Sequence, residues 1–287
     1  MSSLVPRPTH QRVSIWSATF VLLLAGASTA TAQFKPRIIQ ETTVGDKYRV
    51  EGGVDIWFGT ADLTVASGGS GGLAGIAGTD INAKRDLGLV DKNLPQFNLV
   101  LKAGRRHKLR VQYVPIKYEQ SAVLSRAIDF NGQRYNIGLP VNSALAWKAL
   151  RLGYEYDFVI KNRGYAGFII EDKQTDVRVD IATPISNPPA QFAHAQAPIP
   201  ALGFIGRVWL APRVNVTGEV TGFKIPDSVD DRYNAHYIDV DIFGTLNATK
   251  NVGVKVGYRS LDMGYKFKED SGAFTLKGMY VGVVARY

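Results

Sequence analysis

The chain has 287 residues, 45% of them hydrophobic and 10% aromatic, with a formal charge of +9 and no cysteine. The missing cysteines exclude a disulfide scaffold and a thiolate metal site, and the length suits one large domain or two small ones. Beyond the N-terminus no run of 18 apolar residues occurs, so helical membrane spans are not expected.

The N-terminus reads as a targeting segment. Arg7 and Arg12 precede an apolar run from Ile15 to Ala25, and the small residues Gly26 to Ala32 follow, ending in Ala30-Thr31-Ala32. Basic region, apolar core and small-residue exit predict a secretory signal peptide over 1–32, cleaved before Gln33. The apolar run is short for a membrane anchor. Cleavage removes two arginines and no acid, leaving +7. Residues 33–47 are polar and read as a periplasmic lead-in to a domain over 48–287.

From Tyr48 onward the sequence alternates. Val50, Gly52, Val54, Ile56 and Phe58 share one parity, with Glu51 and Asp55 on the other. The same period of two recurs at Phe97–Ala103, Leu109–Tyr113, Leu150–Phe158, Ala166–Ile170, Leu202–Leu210, Val214–Val220, Ile238–Leu246, Val252–Tyr258 and Met279–Tyr287. Such runs predict strands with one apolar and one polar face. They number ten. Their connections alternate between tight turns, such as Lys161–Gly164 and Thr249–Asn251, and longer segments. Among the long ones, Ser67–Leu94 is Gly-rich, with Thr79–Leu89 a candidate outward extension of the second strand. Ala127–Pro140 holds the hairpin signal Asn131-Gly132, and Pro184–Pro200 is rich in Pro and Ala.

Alternate apolar residues at Met279, Val281, Val283 and Ala285, ending on the aromatic Tyr287, resemble the C-terminal β-signal of bacterial outer-membrane proteins. The signal peptide, the long alternating runs and the short–long connections resemble the class of small outer-membrane β-barrels as a whole. The resemblance implies an all-β fold: a closed, antiparallel, up-and-down transmembrane barrel of about ten strands. It also implies outer-membrane lipid and lipopolysaccharide as surroundings, and the barrel-assembly machinery as a partner of the last strand. A soluble periplasmic ligand-binding barrel shares the same parity with the faces exchanged, and parity alone does not choose between them.

If the apolar parity faces lipid, the other face carries Glu51, Asp55, Glu155, Asp157, Glu219, Asp239 and Asp241 against Lys102, Lys108, Arg110, Arg151, Arg207, Lys255 and Arg259. Seven acids against seven bases in a narrow barrel predict a lumen crossed by ion pairs, since an unpaired buried charge is costly. Two readings follow: a filled, structural interior, or a narrow conduit for a small solute. On the apolar parity near the loop-side strand ends lie Lys117, Lys148, Lys224, Lys266, Lys268 and Lys277. They are placed either to meet lipopolysaccharide phosphates as point charges or to project into water. Tyr48, Tyr154, Tyr156, Phe158 and Tyr287 at the turn side, and Trp57, Phe58 and Trp147 at the loop side, fit two aromatic girdles.

Chemistry is sparse. After cleavage the histidines are His107, His194 and His236, and His236 and Asp239 have opposite strand parity, out of hydrogen-bond reach for acid–base work. Omptin-type proteases place acids and a histidine at the rim of a ten-stranded barrel. Asp230, Asp231 and His236 lie near the expected rim, but no motif carries over, so a surface protease or lipid A-modifying enzyme stands as the alternative to a non-enzymatic barrel. No metal-ligand spacing occurs and no cofactor is expected. Asp227, Asp230 and Asp231 lack the spacing of a calcium loop. The positive charge is dispersed, which does not suggest nucleic acid.

Overall fold

The computed structural model describes residues 43–68, 78–184, 191–225, 233–267 and 270–287, with no side chains described at 192–195, 197, 233 and 267. They belong to a unit spanning Glu41–Tyr287. The expected signal peptide and most of the lead-in lie outside the described residues.

In chain order the elements are β1 (Val50–Ala66), β2 (Ile81–Asn82), a short helix α1 (Ala83–Leu87), β3 (Lys92–Lys102), β4 (His107–Val123), β5 (Ile128–Phe130), β6 (Gln133–Tyr135), β7 (Pro140–Lys161), β8 (Gly164–Ala182), β9 (Gln191–Ala211), β10 (Val214–Lys224), β11 (Tyr233–Asn247), β12 (Val252–Phe267) and β13 (Asp270–Arg286). Ten of the strands pair antiparallel in the order β1, β3, β4, β7, β8, β9, β10, β11, β12, β13, and β13 returns to β1. That closure runs in register from Glu51 opposite Arg286 to Ala66 opposite Ser271. It leaves neither the first nor the last strand as a free edge, as lipid requires where nothing else can satisfy unpaired backbone groups.

The faces are arranged as a membrane demands. Val254 and Val283 stay 42% and 55% exposed, while Asp241, Lys255 and Arg259 are 7%, 8% and 1% exposed. Ile56, Phe97, Ile170, Phe204, Val220, Ile242 and Met279 continue the outward apolar band. A soluble barrel would hide these groups, so the exchanged-face alternative does not describe this chain. β7 has 22 residues, whereas a tilted strand needs about 9–11 to cross a bilayer. The strands therefore project well past the outer surface.

The loop side is where sequence and structure diverge. Thr79–Leu89 does not extend the second strand: β3 begins at Lys92, and the segment before it turns back as β2 and α1. Asn82 caps α1, its side chain accepting from the Arg85 N–H at 3.0 Å, and Gly88 (φ 67°) ends it in the left-handed conformation. Residues 191–200, expected as loop, form the first half of β9. Pro198 and Pro200 face only β8, because the β9–β10 ladder ends at Leu202 opposite Gly222. An edge tolerates proline where a two-sided strand does not. β5 and β6 form the hairpin that Asn131-Gly132 announces, with φ of 49° and 74° at those residues.

These loop segments fold over the mouth. Ile81, Leu87, Leu124, Ile128, Phe130 and Tyr135 are buried in one cluster with barrel residues. The Thr79 N–H donates to the Asp129 carbonyl at 2.8 Å, and the Asn131 N–H to the Ser67 carbonyl at 2.9 Å. Arg126 donates to both Asp86 oxygens at 3.1 and 2.7 Å, and the Asn82 N–H donates to Asp86 at 2.9 Å. Burial pushes the Asp86 carboxyl up, but hydrogen bonds from Arg126, then Arg85, then the Asn82 N–H outweigh it and hold the carboxyl far below its usual range.

The sign follows: this contribution is complete at neutral pH and is lost only as pH falls below about 3.9 through the folded-state value. Hydrogen exchange at the Leu89 amide, which donates to the Ala83 carbonyl, is therefore expected to show the same protection factor at pH 5 and pH 7. Arg126→Ala is expected to lower that protection at pH 7 by about 1 kcal/mol, the scale of a half-exposed ion pair.

Candidate functional site

The barrel interior is the candidate site, and it has two storeys. The lower, toward the tight turns, is charged. Lys108 reaches Glu155 at 2.5 Å and Asp157 at 2.9 Å, and lies 3.5 Å over the Tyr165 ring. Arg110 bridges Glu155 and Glu219, 2.6 Å from each. Arg151 donates to Glu219 at 2.5 Å, to Glu171 at 2.7 Å and to Gln112 at 3.1 Å. Lys173 contacts Glu171 at 2.7 Å and the Thr221 hydroxyl at 2.9 Å. Arg259 grips both oxygens of Asp239 at 2.9 and 2.7 Å, and donates to Gln96 at 2.6 Å. Gln96 in turn donates to Asp55 at 3.0 Å, where Lys255 also arrives at 2.9 Å. Gly282 makes room for this: a side-chain carbon there would lie 1.8 Å from an Asp55 oxygen.

Thus Asp55, Arg110, Arg151, Glu155, Asp157, Glu219, Asp239, Lys255 and Arg259 join Lys108 in one connected network crossing the lumen. Four other expected members stand beside it. Glu51 pairs with Arg286, and Lys102 donates to the Asp46 carbonyl at 3.3 Å. Arg207 donates to Thr217 at 2.9 Å, and Asp241 accepts from the Tyr280 hydroxyl at 2.9 Å. Glu171, Lys173, Gln96 and Arg286 escaped the sequence reading. The first two continue the inward parity of β8 past Ile170, where the apolar alternation stops marking the strand.

The upper storey is apolar, a feature the sequence reading did not anticipate. Trp57, Leu94, Val114, Ile116, Leu145, Trp147, Leu261, Phe274 and Leu276 fill it and merge with the cap. Trp57 and Trp147 are 0% and 2% exposed and point inward, so neither belongs to a girdle. Their parity, shared with Asp55 and Arg151, already placed them there. Trp147 meets Phe274 edge-on at 4.9 Å. The voids along the axis are small. They measure about 10 Å³ beside Trp57 and Trp147, 30 Å³ beside Arg110 and Arg151, and 40 Å³ beside Lys102 and Lys108. At the periplasmic end the lead-in crosses beneath the network, where the Val44 N–H donates to the Pro212 carbonyl at 2.7 Å.

On the outer wall, Lys117, Lys148, Lys224, Lys266 and Lys277 are exposed, and Lys268 lies outside the described residues. Lys117 is paired with Glu119 at 2.6 Å, and Lys148 stands opposite Asp176. His236 faces not Asp239 but Asp262, at 3.6 Å on the outer face. His107 accepts or donates at 2.6 Å to the Tyr154 hydroxyl in the turn region. Asp227, Asp230 and Asp231 lie outside the described residues. Among the described residues no cluster of three His, Cys, Asp or Glu is placed to hold a metal.

No protein-family model matches the sequence, and a search of curated sequences returns no match. Solved structures do match. The outer-membrane protease OmpT from Escherichia coli superposes with a TM-score of 0.54 at 6% identity, covering 87% of this chain and 100% of that one. Neisserial surface protein A matches with a TM-score of 0.31 at 10% identity (83% and 97% covered), and the outer membrane protein AlkL with 0.38 at 11% (84% and 92%). The likeness to OmpT concerns the fold alone, a closed antiparallel β-barrel.

Removing one member of a buried pair leaves its partner charged and alone, at about 3–5 kcal/mol. Asp239→Asn is expected to lose that much, read as a lower temperature for the gel-mobility shift that marks barrel unfolding in detergent. A midpoint equal to that of the native protein would deny the network its structural weight.

Proposed function

We propose that this chain is a non-enzymatic outer-membrane barrel with a sealed axis, a rigid wall that carries a capped, protein-lined surface above the lipid. One observation supports this reading above the rest: a charge network and an apolar plug lie in series across the lumen, and the void where they meet, about 10 Å³ beside Trp57, Arg151 and Arg259, is no larger than one water. A continuous aqueous conduit for a small solute needs a polar lining along its whole length, and the upper storey offers none. The His236–Asp262 pair lies on the outer face, away from the interior.

In planar bilayers the folded protein is expected to be silent. Stable, stepwise ionic conductance from the native chain would replace the sealed reading with the channel reading.

The outward lysines extend the proposal to lipopolysaccharide, with β13 the strand that engages the assembly machinery. Lys277 stands at the upper limit of the apolar band, opposite Thr60 and Ser260. Replacing Lys117, Lys148 and Lys277 together by Gln is expected to reduce lipopolysaccharide co-purification. Unchanged retention would dispose of the contact.

A further inference from the structure

The barrel wall is not zipped equally all round. β3 and β4 pair only from Lys102 opposite Lys108 up to Phe97 opposite Tyr113. Above that rung β3 runs on to Lys92 and β4 to Val123 without pairing with each other, while β4 stays paired with β7 to Val123 opposite Pro140. The reason lies in the sequence. The Ala103 N–H donates to the His107 carbonyl, and the Lys102 N–H to the Arg49 carbonyl on the other side. Odd-numbered residues of β3 and β4 therefore turn their backbone groups toward each other. Carried one hydrogen-bonded rung beyond Phe97 and Tyr113, the register sets Pro95 opposite Pro115. Neither has an N–H, so that rung has no donor from either side.

Above Gln96, which belongs to the charge network, the seam is backed by apolar side chains. Leu94, Val114 and Ile116 back it from the upper storey, at 2–4% exposure. Phe97, Tyr113 and the two prolines front it on the lipid-facing parity. The polar tie across it is a contact from the Lys92 ammonium to the Lys117 carbonyl at 3.4 Å. Two buried donors in the chamber, the Tyr118 hydroxyl and the Trp147 indole N–H, have no hydrogen-bond partner. They stand one rung apart on paired strands, since Tyr118 lies opposite Leu145 and Ile116 opposite Trp147. Buried donors of this kind are costly unless something accepts from them.

We propose that the β3–β4 seam is a lateral portal between the apolar packing of the upper storey and the outer leaflet, admitting a small apolar molecule that carries one hydrogen-bond acceptor. Below, the charge network bars the way to the periplasm. Sideways, apolar packing and the Lys92–Lys117 contact must part, and no ladder has to be broken. This goes beyond the sealed-axis reading and is compatible with it, because such a portal passes no ions.

The test uses cells bearing the full chain in the outer membrane and the ketone fluorophore prodan, whose emission rises on entering lipid. The native chain is expected to speed prodan uptake over cells with empty vector. Pro95→Thr with Pro115→Thr restores both donors and is expected to abolish that gain in a barrel that still shows heat-dependent gel mobility. A second variant, Asn93→Cys with Lys117→Cys, places the pair where the β3–β4 register, carried on past the prolines, sets them opposite each other. Its oxidised form is expected to lose the gain and reductant to return it. Uptake no faster than vector, or variants that pass prodan as fast as the native chain, would overturn the portal. Neither result would bear on ionic conductance, which tests the sealed axis separately.

Discussion

Three cations from three strands converge on one carboxylate. Arg259 of β12 holds Asp239 with two bonds, and Lys173 of β8 and Arg151 of β7 each stand 3.4 Å from it. Asp239 itself is 2% exposed. A lone carboxylate so deep in a membrane protein would cost several kcal/mol, and only this many partners offset the loss of water. The strands involved are not all neighbours, so the contact ties together walls that the backbone ladder alone leaves independent. Lipid outside supplies no hydrophobic pressure to collapse the cylinder. The interior must therefore hold its own shape, and ion pairs that reach across do so.

The division into a charged lower storey and an apolar upper one follows from where water is. Near the periplasmic turns the network ends at Lys108 and Asp157, beside the void that Lys102 and Asp46 also line. Toward the outside, the upper storey begins at the upper part of the apolar band and continues past it. There the interior is built as in a soluble protein: apolar side chains from both sides of the lumen, closed by loop segments that fold inward. Trp57, Trp147 and Phe274 belong to that soluble-style core. The cap needs its own polar clamp, because α1 is too short to persist alone. Asp86, held by Arg126 and the Asn82 amide, provides it.

Much of this was legible in period and parity. Val252–Tyr258 and Met279–Tyr287 announce strands, their odd and even members announce the two faces, and Asn131-Gly132 announces its turn. The misses have physical causes. Glu171 and Lys173 lie where β8 leaves the membrane and its outer face turns polar at Asp172, so alternation no longer marks the strand. The tryptophans were assigned by residue type, although their parity said otherwise. Pro198 and Pro200 spoke for a loop because composition cannot show that one side of a strand is unpaired. The α1 signals, Asn82 before and Gly88 after, were present but hidden by a Gly-rich neighbourhood. That Pro95 and Pro115 share a rung emerges only once the register between β3 and β4 is known.

The claim that ion pairs hold the lumen across non-adjacent strands is tested most directly by a double-mutant cycle between Arg151 of β7 and Glu219 of β10, whose side chains meet at 2.5 Å. Arg151→Met, Glu219→Gln and the double variant would be unfolded reversibly in detergent or lipid vesicles. A favourable coupling in the range of about 0.5–3 kcal/mol, as found for residues in direct contact, is the outcome this interior requires. Strict additivity of the two single losses would mean that the two walls stand without each other.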